Sequence, residues 1–216
     1  MQFDNPLIIQ SDRTLLLDVH APLANDCRND LIPFAELEKS PEHLHTYRLT
    51  PLSLWNASSA GFGPEDAVAV LEKYARYDVP QSVVMWIKEI ASRFGKIRLI
   101  PGPVNLVSVK EDSDKLIEEK YLYLVAQSLP IYKELGALKE VKKIIWACDY
   151  AEPEDSANNK IELSDDEKQF CFCLRLTDRG TIKQLLLSAG WPVKDEVILT
   201  DGEPLDVSLR ETTLNG

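Results

Sequence analysis

A chain of 216 residues with 44% hydrophobic side chains holds enough apolar mass for one large core or two small ones. Its 35 acidic against 24 basic residues give a formal charge of −11, which argues against tight nonspecific DNA binding by this chain alone. No run of about 18 uncharged apolar residues occurs, and "MQFDNPLIIQ" lacks the basic start and cleavage site of a secretory signal, so the expected compartment is the cytoplasm. Four cysteines, Cys27, Cys148, Cys171 and Cys173, fit a reducing compartment where no disulfide frame is needed. Residues 1–100 carry 10 basic and 13 acidic groups and residues 101–216 carry 14 and 22, so the second half is the more acidic.

In chain order, "PLIIQSDRTLLLDV" places two apolar runs around a turn-rich tetrapeptide, predicting a hairpin over Leu7–Val19. A short helix is expected over Leu23–Phe34, and "LHTYRLT" alternates as a strand. Thr50 and Pro51 then signal a helix start, since Thr caps orphan amides and Pro is tolerated at the first helical position; that helix runs to about Ala60 and stops at Gly61. Pro64, Glu65 and Asp66 open a second helix with the core stripe Val68, Leu71 and Ala75. Pro80 opens a third, with Val83, Ile87, Ile90 and Phe94 on its buried face, Trp86 beside them, and Lys88, Glu89, Ser92 and Arg93 facing water.

Gly95 ends that helix and "KIRLI" follows as a strand. Three short helices with a flanking strand resemble a winged-helix arrangement, whose third helix would enter a DNA groove. That helix offers only Gln81, Ser82, Lys88 and Arg93 with Glu89 among them, and charge favours a plain bundle on a small sheet.

Pro101–Pro103 reads as a turn or linker that cannot continue a strand, which sets a domain boundary near residue 101. Beyond it are expected an apolar run "VNLVSV", a helix over Ser113–Ala126, a strand around Ile144–Cys148 and an acidic mobile loop over Ala151–Gln169. "FCFCLRL" alternates as a strand, and "TDRGTIKQLLLSAG" makes a helix whose Ile182, Leu185, Leu186 and Ala189 share a face. The fold class is therefore α+β: a helical, winged-helix-like bundle with a small sheet over 1–100, then a small α+β domain over 101–216.

The search for chemistry yields no catalytic constellation. Cys171 and Cys173 share a strand face but have no histidine within sequence reach to complete a tetrahedral site, so they read as buried apolar groups, as do Cys27 and Cys148. His43 and His45 are spaced as metal ligands are, yet no acidic or thiol pattern completes a site, and a structural role is favoured. The acidic residues Glu152, Glu154, Asp155 and Asp165–Glu167 lack calcium-loop spacing. No phosphate loop, dinucleotide-binding turn or nucleophile elbow occurs, so no cofactor is expected on these residues.

Three quoted stretches then carry a family resemblance: "NPLIIQSDRTLLLDV", "PFAELEKSPEHLHTYRLTPLSLWNASSAG" and "VPQSVVMWIKEIASRFGKIRLI", with "DRGTIKQLLLSAGWPVKDE" and "DGEPLDVSLRE" later in the chain. They resemble the N-terminal region of XPB-type helicases of superfamily two, in both the bacterial and the eukaryotic branches, and a bacterial source is expected. The resemblance implies that residues 1–100 are the N-terminal domain, which in eukaryotic relatives docks onto a partner subunit of transcription factor IIH. It implies that residues from 101 onward are the damage-recognition domain, and that ATP and Mg²⁺ serve motor domains whose motifs follow "LRETTLNG". The implied role is accessory: targeting or regulating a DNA motor through DNA or a protein partner, with no membrane contact. Lys96, Arg98, Arg179 and Lys183 are the candidate DNA contacts, and Lys88, Glu89 and Arg93 the candidate partner surface. The alternative is a stand-alone protein-docking module without helicase activity.

Overall fold

A computed structural model describes residues 4–109, 112–151 and 161–198. The chain divides into two compact units, Met1–Phe94 and Gly95–Gly216.

In unit 1 the predicted hairpin forms: β1 (Leu7–Ile9) and β2 (Thr14–Asp18) are antiparallel, with Ile8 opposite Leu16. Arg13 closes the turn at φ 72°, a left-handed conformation that side chains branching at Cβ resist. Its guanidinium lies 4.8 Å over the Trp86 ring, a cation–π contact that holds the turn down. After α1 (Ala24–Leu31) come β3 (Glu36–Lys39) and β4 (Leu44–Arg48), and the sheet order is β1-β2-β4-β3. The sequence pattern did not reveal β3, because "ELEK" is exposed throughout and reads as polar; charge is what a sheet edge tolerates.

Helices α2 (Pro51–Ser59), α3 (Pro64–Tyr74) and α4 (Gln81–Ala91) fall where the Pro signals put them. Thr50 and Ser53 form a reciprocal capping box at 3.0 and 3.1 Å, and Asp66 accepts from the Gly63 amide at 2.8 Å. Val68, Leu71, Val83, Ile87 and Ile90 are buried; Ala75 lies just past α3, and Tyr74 takes the core position instead. The Trp55 indole N–H donates to the Ile90 carbonyl at 2.8 Å, which fastens α2 to the end of α4. Asn5 donates to the Lys73 and Ala75 carbonyls, tying the end of α3 to the start of β1.

Unit 2 corrects several expectations. Pro101–Pro103 does not end a strand: β5 (Ile97–Val109) runs through it, with a register shift between Pro101 and Val104 that accommodates residues lacking an amide hydrogen. Residues 113–126 are not a helix but most of β6 (Asp112–Ala126), because backbone pairing to β5 on one edge and β8 on the other overrides the helix formers in "SDKLIEEKYLYLVA". Lys96–Ile100, grouped by sequence with the first hundred residues, thus precede or enter the second sheet, and the strand after α4 is no wing of unit 1. α4 ends at Ala91, short of the expected stop at Gly95, and Gly95, at φ 85°, closes the turns that follow it.

The rest of unit 2 comprises α5 (Leu129–Ala137), a 3₁₀ turn (Val141–Lys143), β7 (Trp146–Ala147), α6 (Asp165–Gln169), β8 (Cys171–Arg175), a 3₁₀ turn (Leu176–Asp178), α7 (Arg179–Ser188) and β9 (Lys194–Asp195). The sheet order is β7-β8-β6-β5-β9, with β9 parallel to β5 and the other neighbours antiparallel. One face buries Leu99, Leu122, Leu124, Phe172 and Leu174 with Leu135, Ile182 and Leu186 from the helices; the other carries Ile100, Tyr123, Val125, Cys171 and Cys173. In the stretch expected to be a mobile loop, Ser164 and Glu167 form a capping box that starts α6; residues 152–160, with Glu152, Glu154 and Asp155, lie outside the described residues, as does "DGEPLDVSLRE". The whole is mixed α+β, with two sheets and seven α-helices among the described residues.

Gly102 sits where a Cβ would come within 2.8 Å of the Tyr121 carbonyl oxygen, so only a residue without one fits this approach of β5 to β6. Gly102→Ala is expected to destabilise unit 2 by about 1–3 kcal/mol; a urea-unfolding midpoint equal to that of the parent chain would refute the close-approach argument.

Candidate nucleic-acid and partner surfaces

Three of the four cations singled out for DNA are drawn into ion pairs around β9. Arg98 donates to Glu196 at 2.6 Å and to Glu167 at 3.1 Å, and also to the Glu162 carbonyl; its side chain is only 15% exposed. Across the strand, Arg179 and Lys183 reach the same oxygen of Asp195 at 2.9 and 2.8 Å, and Arg179 also donates to the Val197 carbonyl. Adjacent residues of an extended segment point to opposite faces, so Asp195 and Glu196 catch cations on both sides of the sheet. Lys96 is half-buried, its carbonyl accepts from the Gln127 amide, and its side chain enters no ion pair among the described residues.

These carboxylates are electrostatically committed. Burial pushes the Asp195 carboxyl up, but the hydrogen bonds from Arg179 and Lys183 overcome it and hold it below its ordinary range. Burial likewise opposes at Glu196, where Arg98 outweighs it with Lys194 assisting, and at Glu167, where the Ser164 amide leads and Arg98 assists in holding the carboxyl down. Neither Glu167 nor Asp195 was singled out by sequence as a partner of these cations, since the pairs join residues 12 to 98 positions apart.

In unit 1, α4 presents Lys88 and Glu89 to solvent, and Arg93 pairs with Glu89 at 3.0 Å one turn on. Met85, on the same helix, is 64% exposed, an apolar group among these charges.

The remaining polar groups do not assemble a reaction centre. Cys148 comes to face Cys171, its amide 3.4 Å from the Cys171 carbonyl, so the three thiols of unit 2 share one sheet face that sequence spacing could not bring together. Burial pushes Cys148 up strongly, Cys171 to about 11 and Cys27 to about 12, which leaves them poor nucleophiles. Tyr74 and Lys73 both donate to Asp30, in a shallow depression also lined by Leu23 and Asp26. His45 lies in β4, whereas His43 lies outside it, paired with His20. Among the described residues no group of three or more His, Cys, Asp or Glu is placed to hold a metal ion, and no helix is long and apolar enough to cross a membrane.

A family model described as "Helicase conserved C-terminal domain" matches residues 7–142, well over half of the chain, and the chain belongs to that family. It is 36% identical over 208 residues to the DNA 3'-5' helicase XPB of Mycobacterium tuberculosis, covering 96% of this chain and 32% of that protein. To the protein of the same name from Kineococcus radiotolerans it is 34% identical, covering 96% and 31%. The helicase/translocase subunit XPB/SSL2 of general transcription and DNA repair factor IIH from Saccharomyces cerevisiae is 32% identical over 93 residues, 43% of this chain and 11% of that protein. The XPB-type resemblance read from the motifs is thus borne out, and the chain spans about a third of the length of the bacterial relatives it matches.

The lowered carboxyls set a pH dependence. Groups whose folded pKa lies below the unfolded value of about 4 stabilise the fold above that pH, and this stability is lost as pH falls through their folded values. Unit 2 should therefore hold its stability from neutral pH down to about 5 and lose it below about 4. Asp195→Asn should cost roughly 2–3 kcal/mol at neutral pH, less than breaking a fully buried pair, and should shrink the acid-side loss. Urea titrations at pH 7 and pH 3.5 read both effects; a variant as stable as the parent at pH 7 would overturn the assignment.

Proposed function

We propose that the chain is a non-catalytic accessory region of an XPB-type DNA helicase, which targets or regulates the motor through DNA and protein contacts. The observation that carries this reading is the match over 96% of the chain to bacterial XPB helicases, in a sequence with no phosphate loop. ATP and Mg²⁺ then act at motor domains of the whole protein, in the cytoplasm. Within this reading unit 1 is the N-terminal domain, a helical bundle on a small sheet, and unit 2 is the damage-recognition domain.

Direct DNA contact through these residues is weak, because the net charge is −11 and Arg98, Arg179 and Lys183 already have carboxylate partners. Of the four candidate cations, Lys96 is the one that meets a phosphate without first breaking an ion pair among the described residues. Met85 beside Lys88, Glu89 and Arg93 supports a second reading, a protein-docking surface on α4.

Fluorescence anisotropy with a labelled forked duplex tests the DNA arm. Binding should be detectable only at low salt, and Lys96→Ala should weaken it and lower the salt slope by about 1. No binding even at low salt removes the DNA arm and leaves protein docking through α4.

A further inference from the structure

Two of the chain's three histidines meet at one corner of the first sheet. His20 Nε2 lies 2.8 Å from His43 Nδ1, with ring centroids 5.1 Å apart, and both side chains are exposed. A hydrogen bond at that distance needs one ring nitrogen to present its lone pair to the other's N–H, so two imidazole nitrogens converge on one point. We propose that His20 and His43 form a two-imidazole site for a borderline first-row divalent cation, such as Zn²⁺, Ni²⁺ or Cu²⁺, with solvent filling the other positions.

The geometry requires little rearrangement. Metal–nitrogen bonds of roughly 2.0–2.1 Å at a right or tetrahedral angle set two ligating nitrogens about 2.9–3.4 Å apart. The shared proton leaves to solvent, the nitrogens separate by a few tenths of an ångström, and exposed rings turn freely enough to allow it. The backbone on each side is already fixed. The Val19 amide donates to the His43 carbonyl at 3.3 Å, and Asp18 pairs with Leu44 at the end of the β2–β4 ladder. The Asp18 carboxylate accepts the His20 amide on one oxygen at 3.1 Å and Arg76 on the other at 3.0 Å. Asp18 is therefore occupied as a positioning group and is not a third ligand.

Imidazole nitrogen selects Zn²⁺, Ni²⁺ and Cu²⁺ over the oxygen-seeking Mg²⁺ and Ca²⁺. Two protein ligands give a weaker grip than the three or four of structural zinc sites and leave open positions for water. A bound ion also clips the end of β2 to the segment leading into β4, so it stabilises unit 1 by mass action.

Calorimetric titration of the tag-free full chain with NiCl₂ or ZnCl₂, in the presence of excess Mg²⁺, is the test. About one saturable equivalent is expected, weakened at least about tenfold by His20→Ala or His43→Ala and unchanged by His45→Ala. Ni²⁺ should selectively broaden the amide resonances of Val19, His20, His43 and Leu44 in the unmutated chain. Absent saturable binding, binding indifferent to both variants, or broadening centred elsewhere would each overturn the site.

Discussion

Unit 2 depends on the antiparallel pairing of β5 with β6. Every other strand of that sheet attaches to this pair directly or through one neighbour: β8 to the free edge of β6, β7 to β8, and β9 to the free edge of β5. The pair also sets both apolar faces. Leu99, Leu122 and Leu124 on one side give α5 and α7 something to cover, and Tyr123 and Val125 on the other pack with Cys171 and Cys173. A helix with one apolar stripe has no independent stability, so α7 exists as a folded element because this sheet does.

Charge in unit 2 serves internal fastening first. The sheet is wider by β9, a two-residue strand held by carboxylates meeting cations on both faces as well as by Val193 and Val197 packed on the core.

The helices of unit 1 were legible in the sequence because their signals are local. Thr50 with Pro51, and Pro64 with Glu65 and Asp66, satisfy helix ends within four residues, and the i, i+4, i+7 spacing of Val83, Ile87 and Ile90 writes the buried face directly. The long strands of unit 2 were not, because their stabilisation is nonlocal: Pro101–Pro103 looks like a linker until a partner strand with a compensating bulge is supplied. Residues 113–126 mix helix formers with alternating aromatics, and pairing on both edges decides between them. The cations of the candidate site were visible as residue types, but their partners Glu167, Asp195 and Glu196 were hidden by sequence distance. The His20–His43 meeting was hidden likewise, being made by strand register rather than by spacing.

The parallel register of β9 on β5 sets Arg98 beside Lys194 and Leu99 beside Asp195, across nearly a hundred positions. Such a contact has a cost in time. While the chain emerges from the ribosome, β5 and β6 can pair long before residues 194–196 have left the exit tunnel. In that interval the outer edge of β5 offers unpaired amides and carbonyls to any extended peptide nearby. Among the described strands β9 is made last, so nascent chains stalled before it leave the edge of β5 at Arg98 and Leu99 open to strand-mediated pairing.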